Sequence, residues 1–214
     1  MNSESAMAKL YFNYATMNAG KSTLLLQAAF NYRERGMEVM LFVADHYRKA
    51  NDTGYISSRV GLDSEAAMFV EGDDMFERIA DHHRSKNVAC IFVDEAQFLS
   101  EAQVWQLARV ADNLGIPVMC YGLRTDFRGE LFEGSKALLA IADDMREVRT
   151  ICWCGKKATM VVRVGLNGKV AKDGDQVSIG KEAYVSLCRR HWEEEMGRVP
   201  RSDLVGEGQI GAAE

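Results

Sequence analysis

The sequence predicts an α/β fold with a mainly parallel sheet flanked by helices, because strand-like and helix-like segments alternate along most of its 214 residues. An apolar fraction of 47% is enough for a sizeable core. The alternation stops at Cys152, after which cysteines cluster. We therefore predict an α/β domain over residues 1–150, a small separate module over 151–197 and a disordered tail over 198–214. The predicted strands are Leu10–Tyr14, Val39–Ala44, Val88–Val93 and Ile116–Tyr121.

Apolar residues at helical spacing predict three helices between these strands. They span Thr23–Arg35, Asp73–Ser85 and Ser100–Leu114. Gly36 is a good terminator for the first helix, and the string S-E-A-Q gives the third a capping box. The segment Asp45–Asp63 is polar and non-periodic, so it is either a mobile functional loop or a variable surface loop.

The residues between the first strand and the first helix have the setting of a phosphate-binding P-loop. A curled loop followed by a helix N-terminus presents several backbone N–H groups to an anion. Lys21 would reach the outer phosphates and the Ser22 hydroxyl would ligate Mg²⁺. Ala15 replaces the usual first glycine, which requires its φ to stay negative, and an ordinary Gly-Lys turn is the alternative. The predicted nucleotide-binding residues are Ala15, Thr16, Met17, Asn18, Ala19, Gly20, Lys21 and Ser22.

The run C-I-F-V-D-E is a second nucleotide-binding motif. Its four apolar residues predict a buried strand that ends in Asp94 and Glu95, at the edge where open α/β sheets bind ligands. Asp94 fits a Walker B aspartate that holds Mg²⁺, and Glu95 can then orient water or accept a proton from a hydroxyl. A solvated Asp-Glu pair is the alternative. We add Ala96 and Gln97 to the nucleotide site and predict a P-loop NTPase-like domain.

The C-terminal module carries a predicted metal site. Three thiolates and an imidazole form a soft tetrahedral set suited to structural Zn²⁺. The C-x-C spacing is tighter than the usual C-x₂₋₄-C, and the alternative is buried cysteines with a surface histidine. The predicted ligands are Cys152, Cys154, Cys188 and His191, and the predicted β-like pieces are Thr159–Val164, Val177–Ile179 and Ala183–Leu187. Cys90 and Cys120 lie inside predicted strands and are expected to be core residues.

Aromatic and charged residues alternate in the segment Tyr121–Ser135, which leaves the fourth predicted strand and is predicted to be a loop at the same sheet edge as Glu95. Phe98, Phe127 and Phe132 could stack on a planar base, and hydrophobic plugs that fix a loop are the alternative. Tyr184 in the cysteine-bounded module is another candidate ring.

Composition disfavours several function classes without excluding a nucleic-acid partner. With 26 basic and 31 acidic residues the net charge is −5, which gives no basic surface for broad nucleic-acid or anionic-membrane binding. No apolar stretch approaches the ~20 residues of a membrane helix, and Met1–Ala8 lacks a signal-like segment. Five cysteines without a secretion signal indicate reduced or metal-bound thiols. We expect a cytoplasmic protein without nucleic-acid or membrane partners.

Five strings occur in an order that closely resembles thymidine kinases of the zinc-bearing, tetrameric type. They are A-T-M-N-A-G-K-S-T, F-V-D-E-A-Q-F, C-Y-G-L-R-T-D-F-R-G-E-L-F, C-W-C-G and Y-V-S-L-C-R-R-H. The resemblance covers Ala8–Trp192. It is strongest for the bacterial branch, which also has C-x-C and a P-loop without the first glycine.

This resemblance implies a thymidine site. Glu95 would take the proton of the thymidine 5′-hydroxyl, and the cysteine-bounded module would be a lasso that closes over the base. It also implies that the lasso and the Asp45–Asp63 loop become ordered on ligand binding. Val161 stands where many relatives have threonine, which leaves tolerance for bulkier 5-substituents open. The implied thymidine-binding residues are Met17, Phe98, Leu123, Phe127, Phe132, Val161, Gln176, Val177, Ser178, Ile179, Gly180 and Tyr184.

The resemblance further implies ATP with Mg²⁺ as phosphate donor, dTMP as product, feedback inhibition by dTTP and a homotetramer. Two other classes remain open at this stage. The D-E-A-Q string suggests a P-loop ATPase or helicase-like motor, and a nucleotide-sensing zinc protein without catalysis would leave Glu95 without a chemical role.

Overall fold

The computed structural model describes residues 7–45, 54–177 and 183–200, which form two compact units. The first unit comprises residues 7–14, 20–45, 54–122 and 133–147, and the second comprises 15–19, 123–132, 148–177 and 183–200.

The predicted mainly parallel sheet is present in the α/β part, and it has seven strands among the described residues. Its spatial order is β3-β4-β2-β5-β6-β1-β7. Strand β2 is parallel to β4 and β5, β5 to β6, and β1 to β7, while β3 is antiparallel to β4. The strands are β1 Leu10–Ala15, β2 Val39–Ala44, β3 Gly54–Ser57, β4 Asp63–Phe69, β5 Cys90–Val93, β6 Val118–Leu123 and β7 Asp144–Glu147. Because the carboxyl ends of parallel strands share one edge, this sheet can gather loop residues there.

Four helices accompany this sheet: α1 Lys21–Glu34, α2 Met75–Lys86, α3 Glu101–Leu114 and α4 Glu133–Ile141. The predicted capping box is present at α3, where the Ser100 and Gln103 side chains each accept a backbone N–H bond from the other residue. A short 3-10 helix, Ala96–Phe98, follows β5. Gly134 lets α4 approach this turn, since a Cβ there would lie 2.5 Å from the Ala96 carbonyl oxygen. The close approach therefore fixes the backbone that follows β5.

The described residues of the second unit form two small antiparallel sheets and one helix. Strand β8 (Thr150–Ile151) pairs with β9 (Lys157–Ala158), and β10 (Met160–Val164) pairs with β11 (Ala183–Leu187). Helix α5 (Arg189–Glu195) follows. The predicted β-like pieces before and after the turn-rich centre are confirmed as β10 and β11. Val177 is not in a strand, and residues 178 and 179 lie outside the described residues.

The interpretation of residues 45–63 as a loop is wrong at its C-terminal end. Gly54–Ser57 forms strand β3, which pairs with β4, while residues 46–53 lie outside the described ranges. The polar sequence gave no sign of this strand, because an edge strand such as β3 is stabilised largely by pairing with its neighbour, here β4. The loop assigned to Tyr121–Ser135 is likewise wrong at both ends, since β6 extends to Leu123 and α4 begins at Glu133.

Within the described part of the chain, no helix is long and apolar enough to cross a membrane. The predicted limits of the domains at residues 150 and 197 stay predictions, and residues 201–214 of the predicted tail lie outside the described ranges.

Candidate active site and metal centre

The start of α1 presents two of the predicted phosphate-site side chains. Gly20 precedes the helix in the left-handed conformation with φ 86°, which glycine adopts without strain. Lys21 is 6% exposed, and the Ser22 hydroxyl donates a 2.7 Å hydrogen bond to Asp94 Oδ2. The residues predicted from two motifs 72 positions apart therefore meet in the first unit.

The preceding stretch of the P-loop, residues 15–19, belongs to the second unit. Ala15 is not among the described residues with positive φ, so alanine satisfies the backbone condition set for it. Asn18 has φ 60°, and its side-chain amide donates to the Tyr184 carbonyl at 3.3 Å. The Met17 carbonyl accepts a 2.6 Å bond from the Ser186 hydroxyl. Strand β11 thus fixes the backbone of this stretch.

Asp94 and Glu95 follow the fully buried strand β5. The Asp94 side chain accepts a 3.0 Å hydrogen bond from the Glu95 N–H through Oδ1, while its Oδ2 accepts from Ser22. Glu95 has φ 52°, a conformation that is uncommon outside glycine. The Gln97 side chain donates to Glu95 Oε2 at 2.5 Å. Both carboxylates are therefore oriented by specific donors, and Gln97 has an orienting role that the sequence interpretation did not give it.

Burial sets the electrostatics of this cluster. Asp94 is 3% exposed, and burial together with the charge of Glu95 raises its pKa to about 6, against the opposing effects of Ser22 and Lys21. Burial also lowers the pKa of Lys21, while the nearby carboxylates of Glu95 and Asp94 oppose that change. The Asp94 carboxylate beside the Ser22 hydroxyl suits a hard cation, and the buried Lys21 ammonium group suits an anion such as phosphate.

Most predicted thymidine-binding residues belong to the second unit, and Phe98, in the 3-10 helix, belongs to the first. Four of the side chains are buried, namely Leu123, Phe127, Phe132 and Val161. Met17, Gln176 and Tyr184 are partly exposed, and Val177 is exposed. Ser178, Ile179 and Gly180 lie outside the described residues. Their roles toward thymidine stay predictions.

The β10–β11 hairpin has two distinct faces. Alternate residues of a strand point to opposite faces, and directly paired residues share a face. Val161 pairs with Ser186 and Arg163 pairs with Tyr184, which places two predicted thymidine-binding residues on one face. Val162 and Leu187 pack into the small hydrophobic core on the other face. The sequence alternation could have identified Arg163 and Ser186 as members of the first face, but the prediction omitted them.

Two buried groups shape the aromatic loop over residues 123–132. The Asp126 carboxylate is 2% exposed and accepts backbone N–H bonds from Arg128 and Glu130, both at 2.9 Å. The Trp192 indole N–H contacts the carbonyls of Phe127 and Val161 at 3.0 and 3.1 Å. Neither Asp126 nor Trp192 was predicted, although aspartate in a T-D-F-R-G string is typical of a side-chain-stabilised turn.

The four predicted metal ligands converge in the second unit. Their sulfur and nitrogen atoms all lie within 4.8 Å of one another. The individual separations are 3.2 Å from Cys152 Sγ to His191 Nδ1, 3.6 Å from Cys188 Sγ to the same nitrogen, and 3.9 Å between the sulfurs of Cys154 and Cys188. Gly155 (φ 78°) closes the C-W-C-G turn by donating to the Cys152 carbonyl, so the tight C-x-C spacing is compatible with convergence.

These residues fit zinc. Tetrahedral Zn²⁺ with Zn–S bonds of about 2.3 Å requires sulfur atoms roughly 3.8 Å apart, close to the observed separation of Cys154 and Cys188. The Lys156 backbone N–H lowers the pKa of the Cys154 thiol, which favours a thiolate, whereas burial raises that of Cys152. The His191 ring also packs against Trp153, with 5.0 Å between centroids. The cluster could hold a zinc ion with four protein ligands.

Comparison with known proteins identifies the family. The family model described as thymidine kinase matches residues 8–192. The thymidine kinase of Mesorhizobium japonicum is 73% identical over 200 residues, which cover 94% of this chain and 98% of that protein. The thymidine kinase of Rhizobium meliloti is 64% identical, covering 89% and 98%, and that of Jannaschia sp. is 58% identical, covering 91% and 100%. The resemblance drawn from the five strings is confirmed, and this chain belongs to the thymidine kinase family.

Proposed function

We propose that this protein transfers the terminal phosphoryl group of ATP to the 5′-hydroxyl of thymidine and yields dTMP. The observation that carries the proposal is the polar cluster after β5, in which Ser22 donates to Asp94 and Gln97 donates to Glu95. Family membership supports the choice of thymidine as acceptor.

Lys21 and the backbone amides of residues 15–22 would bind the donor phosphates, since a buried ammonium is a strong partner for a polyanion. Ser22 and Asp94 would hold Mg²⁺, which would neutralise charge on the phosphates. The ionised form of Asp94 is needed for this role, and its neighbours Lys21 and Ser22 both favour that form.

Glu95 would act as general base and accept the proton of the 5′-hydroxyl as the nucleophile attacks in line. The Gln97 side-chain amide donates to carboxylate oxygen Oε2 of Glu95 at 2.5 Å. This contact would restrict rotation of the carboxylate and thereby orient the base.

The thymine base would be bound by the predicted pocket residues, with the lasso closing over it. Zinc on Cys152, Cys154, Cys188 and His191 would be structural, because four protein ligands leave no open position for chemistry. By family resemblance we also propose inhibition by dTTP, assembly as a homotetramer and a cytoplasmic location. Initial rates with and without dTTP test the inhibition, and light scattering with and without dTTP tests the tetramer.

A nucleoside panel tests the central proposal. The protein is incubated with Mg-ATP and each of thymidine, deoxyuridine, deoxycytidine, deoxyadenosine and deoxyguanosine, and products are separated by chromatography. We expect a nucleoside monophosphate from thymidine. ATP hydrolysis that needs no nucleoside would indicate an ATPase instead, and nucleotide binding without any turnover would indicate a sensor.

A further inference from the structure

One arginine in the second unit bonds the backbone of an exposed segment. Residues 172–175 are exposed, so apolar burial contributes little to their placement. Arg163, on β10, is 5% exposed. Its Nη1 donates to the Asp175 carbonyl at 2.9 Å and its Nη2 donates to the Asp173 carbonyl at 3.3 Å. The guanidinium therefore fastens the backbone on both sides of Gly174.

The same guanidinium lies over the ring of Phe127, with 4.0 Å from Cζ to the ring centroid. A planar guanidinium can stack on a ring and donate in its own plane at the same time, whereas the compact ammonium of lysine cannot do both. Phe127 is 1% exposed and its carbonyl is bonded by Trp192, so the ring is a fixed support. Arg163 thus connects a rigid loop to an exposed segment.

Gly174 is matched to this contact. Its φ is 117°, and a Cβ at this position would lie 2.7 Å from Arg163 Nη2. A side chain there would displace the guanidinium from the two carbonyls. Gly168, in the same connection between β10 and β11, also has positive φ (70°), but an added Cβ would meet nothing within 4 Å. Alanine at either glycine introduces backbone strain, but only alanine at Gly174 would also displace Arg163. A comparison of the two substitutions therefore distinguishes loss of the arginine contact from backbone strain.

Two predicted thymidine-binding residues adjoin Arg163. Gln176 follows the fastened segment directly, and its side-chain amide donates to Asp126 Oδ2 at 3.3 Å. Tyr184 is the direct cross-strand partner of Arg163. Displacement of the guanidinium would therefore move the backbone next to Gln176 and free space beside Tyr184.

We propose that Arg163 is a positioning residue for thymidine, which fixes residues 173–176 against the aromatic loop and so sets the affinity for the nucleoside. This inference rests on the proposed function. Arg163 donates to backbone carbonyls of its own chain, so it acts through Gln176 and Tyr184 and is not itself a catalytic residue.

The test compares Arg163→Lys and Gly174→Ala with the wild-type enzyme in full steady-state kinetics. We expect KM for thymidine to rise about tenfold in both variants, which corresponds to about 1.4 kcal/mol. We expect KM for ATP and kcat both to stay within about twofold of wild type, because residues 173–176 have no proposed role in ATP binding or in phosphoryl transfer. A general loss of folding would instead lower the active fraction and leave KM for thymidine unchanged.

Gly168→Ala is the matched control, and its KM for thymidine should stay within about twofold of wild type. An unchanged KM for thymidine in Arg163→Lys and Gly174→Ala would overturn the inference, as would an equal rise in Gly168→Ala. A wild-type protein that makes no dTMP would overturn the proposed function and this assignment together. The wild-type rate therefore distinguishes the two failures.

Discussion

The polar cluster after β5 and the cysteine-histidine cluster are both convergent sites, but they are held in different ways. The first unit contains a core cluster of 20 buried residues, which positions Asp94 by packing of the strand before it. The core cluster of the second unit has 8 buried residues among those described, and two of them, Cys152 and Cys188, are themselves proposed metal ligands. We therefore expect the second unit to depend on the proposed metal for stability, because its small core includes two of the ligands.

We therefore expect the two clusters to affect different properties of the protein. Substitutions in the polar cluster should change turnover and leave the first unit folded, because its packing does not depend on those side chains. Substitutions of the metal ligands should act on the stability of the second unit and reach the substrate only through it. Four predictions test this contrast, from the largest expected effect to the smallest.

Glu95→Gln should lower turnover by roughly 10²- to 10⁴-fold, the usual range for loss of a general base, and leave binding of ATP and thymidine nearly intact. Steady-state kinetics and equilibrium binding measure the two quantities. Glu101→Gln is the control, because this exposed carboxylate lies in the first turn of α3. Near-normal turnover in Glu95→Gln would remove the proposed base.

Cys188→Ser should release zinc and raise KM for thymidine, since one of four ligands is lost and the second unit is loosened. Metal content by atomic absorption and thermal unfolding give the direct measurements. Cys120→Ala is the control: Cys120 is buried in the core of the first unit and should be replaceable without loss of metal. Unchanged zinc in Cys188→Ser would contradict the assignment.

The raised pKa of Asp94 predicts a pH-dependent stability in metal-free buffer. The ordinary pKa of aspartate, 3.8, applies to the unfolded chain, so the folded state binds the Asp94 proton more tightly than the unfolded state does. The stability that this protonation contributes to the folded state is therefore fully present below about pH 4. It is lost as pH rises through the folded pKa of about 6. Urea unfolding of Asp94→Asn should therefore show a shallower decline in stability between pH 4 and 6 than wild type. Parallel curves would show that Asp94 titrates normally.

Ser100→Ala should cost about 1 kcal/mol by removing the N-cap of α3, and lower Tm by about 2–4 °C. Turnover per folded molecule should not change. Ser85→Ala is the control, since the Ser85 hydroxyl bonds the His82 carbonyl at the exposed end of α2 and caps no helix N-terminus. Equal changes in Tm for the two variants would contradict the capping role.

The parts of the structure that depend on local chemistry were predictable from sequence. Asp94 follows strand β5, and Ser22 lies in the first turn of helix α1, so the alternating strand-helix pattern predicted that they meet at one edge of the sheet. The set of three cysteines and one histidine in the C-terminal module likewise predicted the cysteine-histidine cluster. Strand β3 and the role of Arg163 were not predictable in this way, because each depends on a partner that local sequence does not identify.

The most direct test of the central claim is the stoichiometry of ADP and dTMP formed by the wild-type protein from Mg-ATP and thymidine, followed over time by chromatography. A kinase that transfers the terminal phosphoryl group of ATP to thymidine produces one dTMP for each ADP and forms little ADP when thymidine is omitted. ADP formation at the same rate without thymidine, with no dTMP detected, would contradict the account.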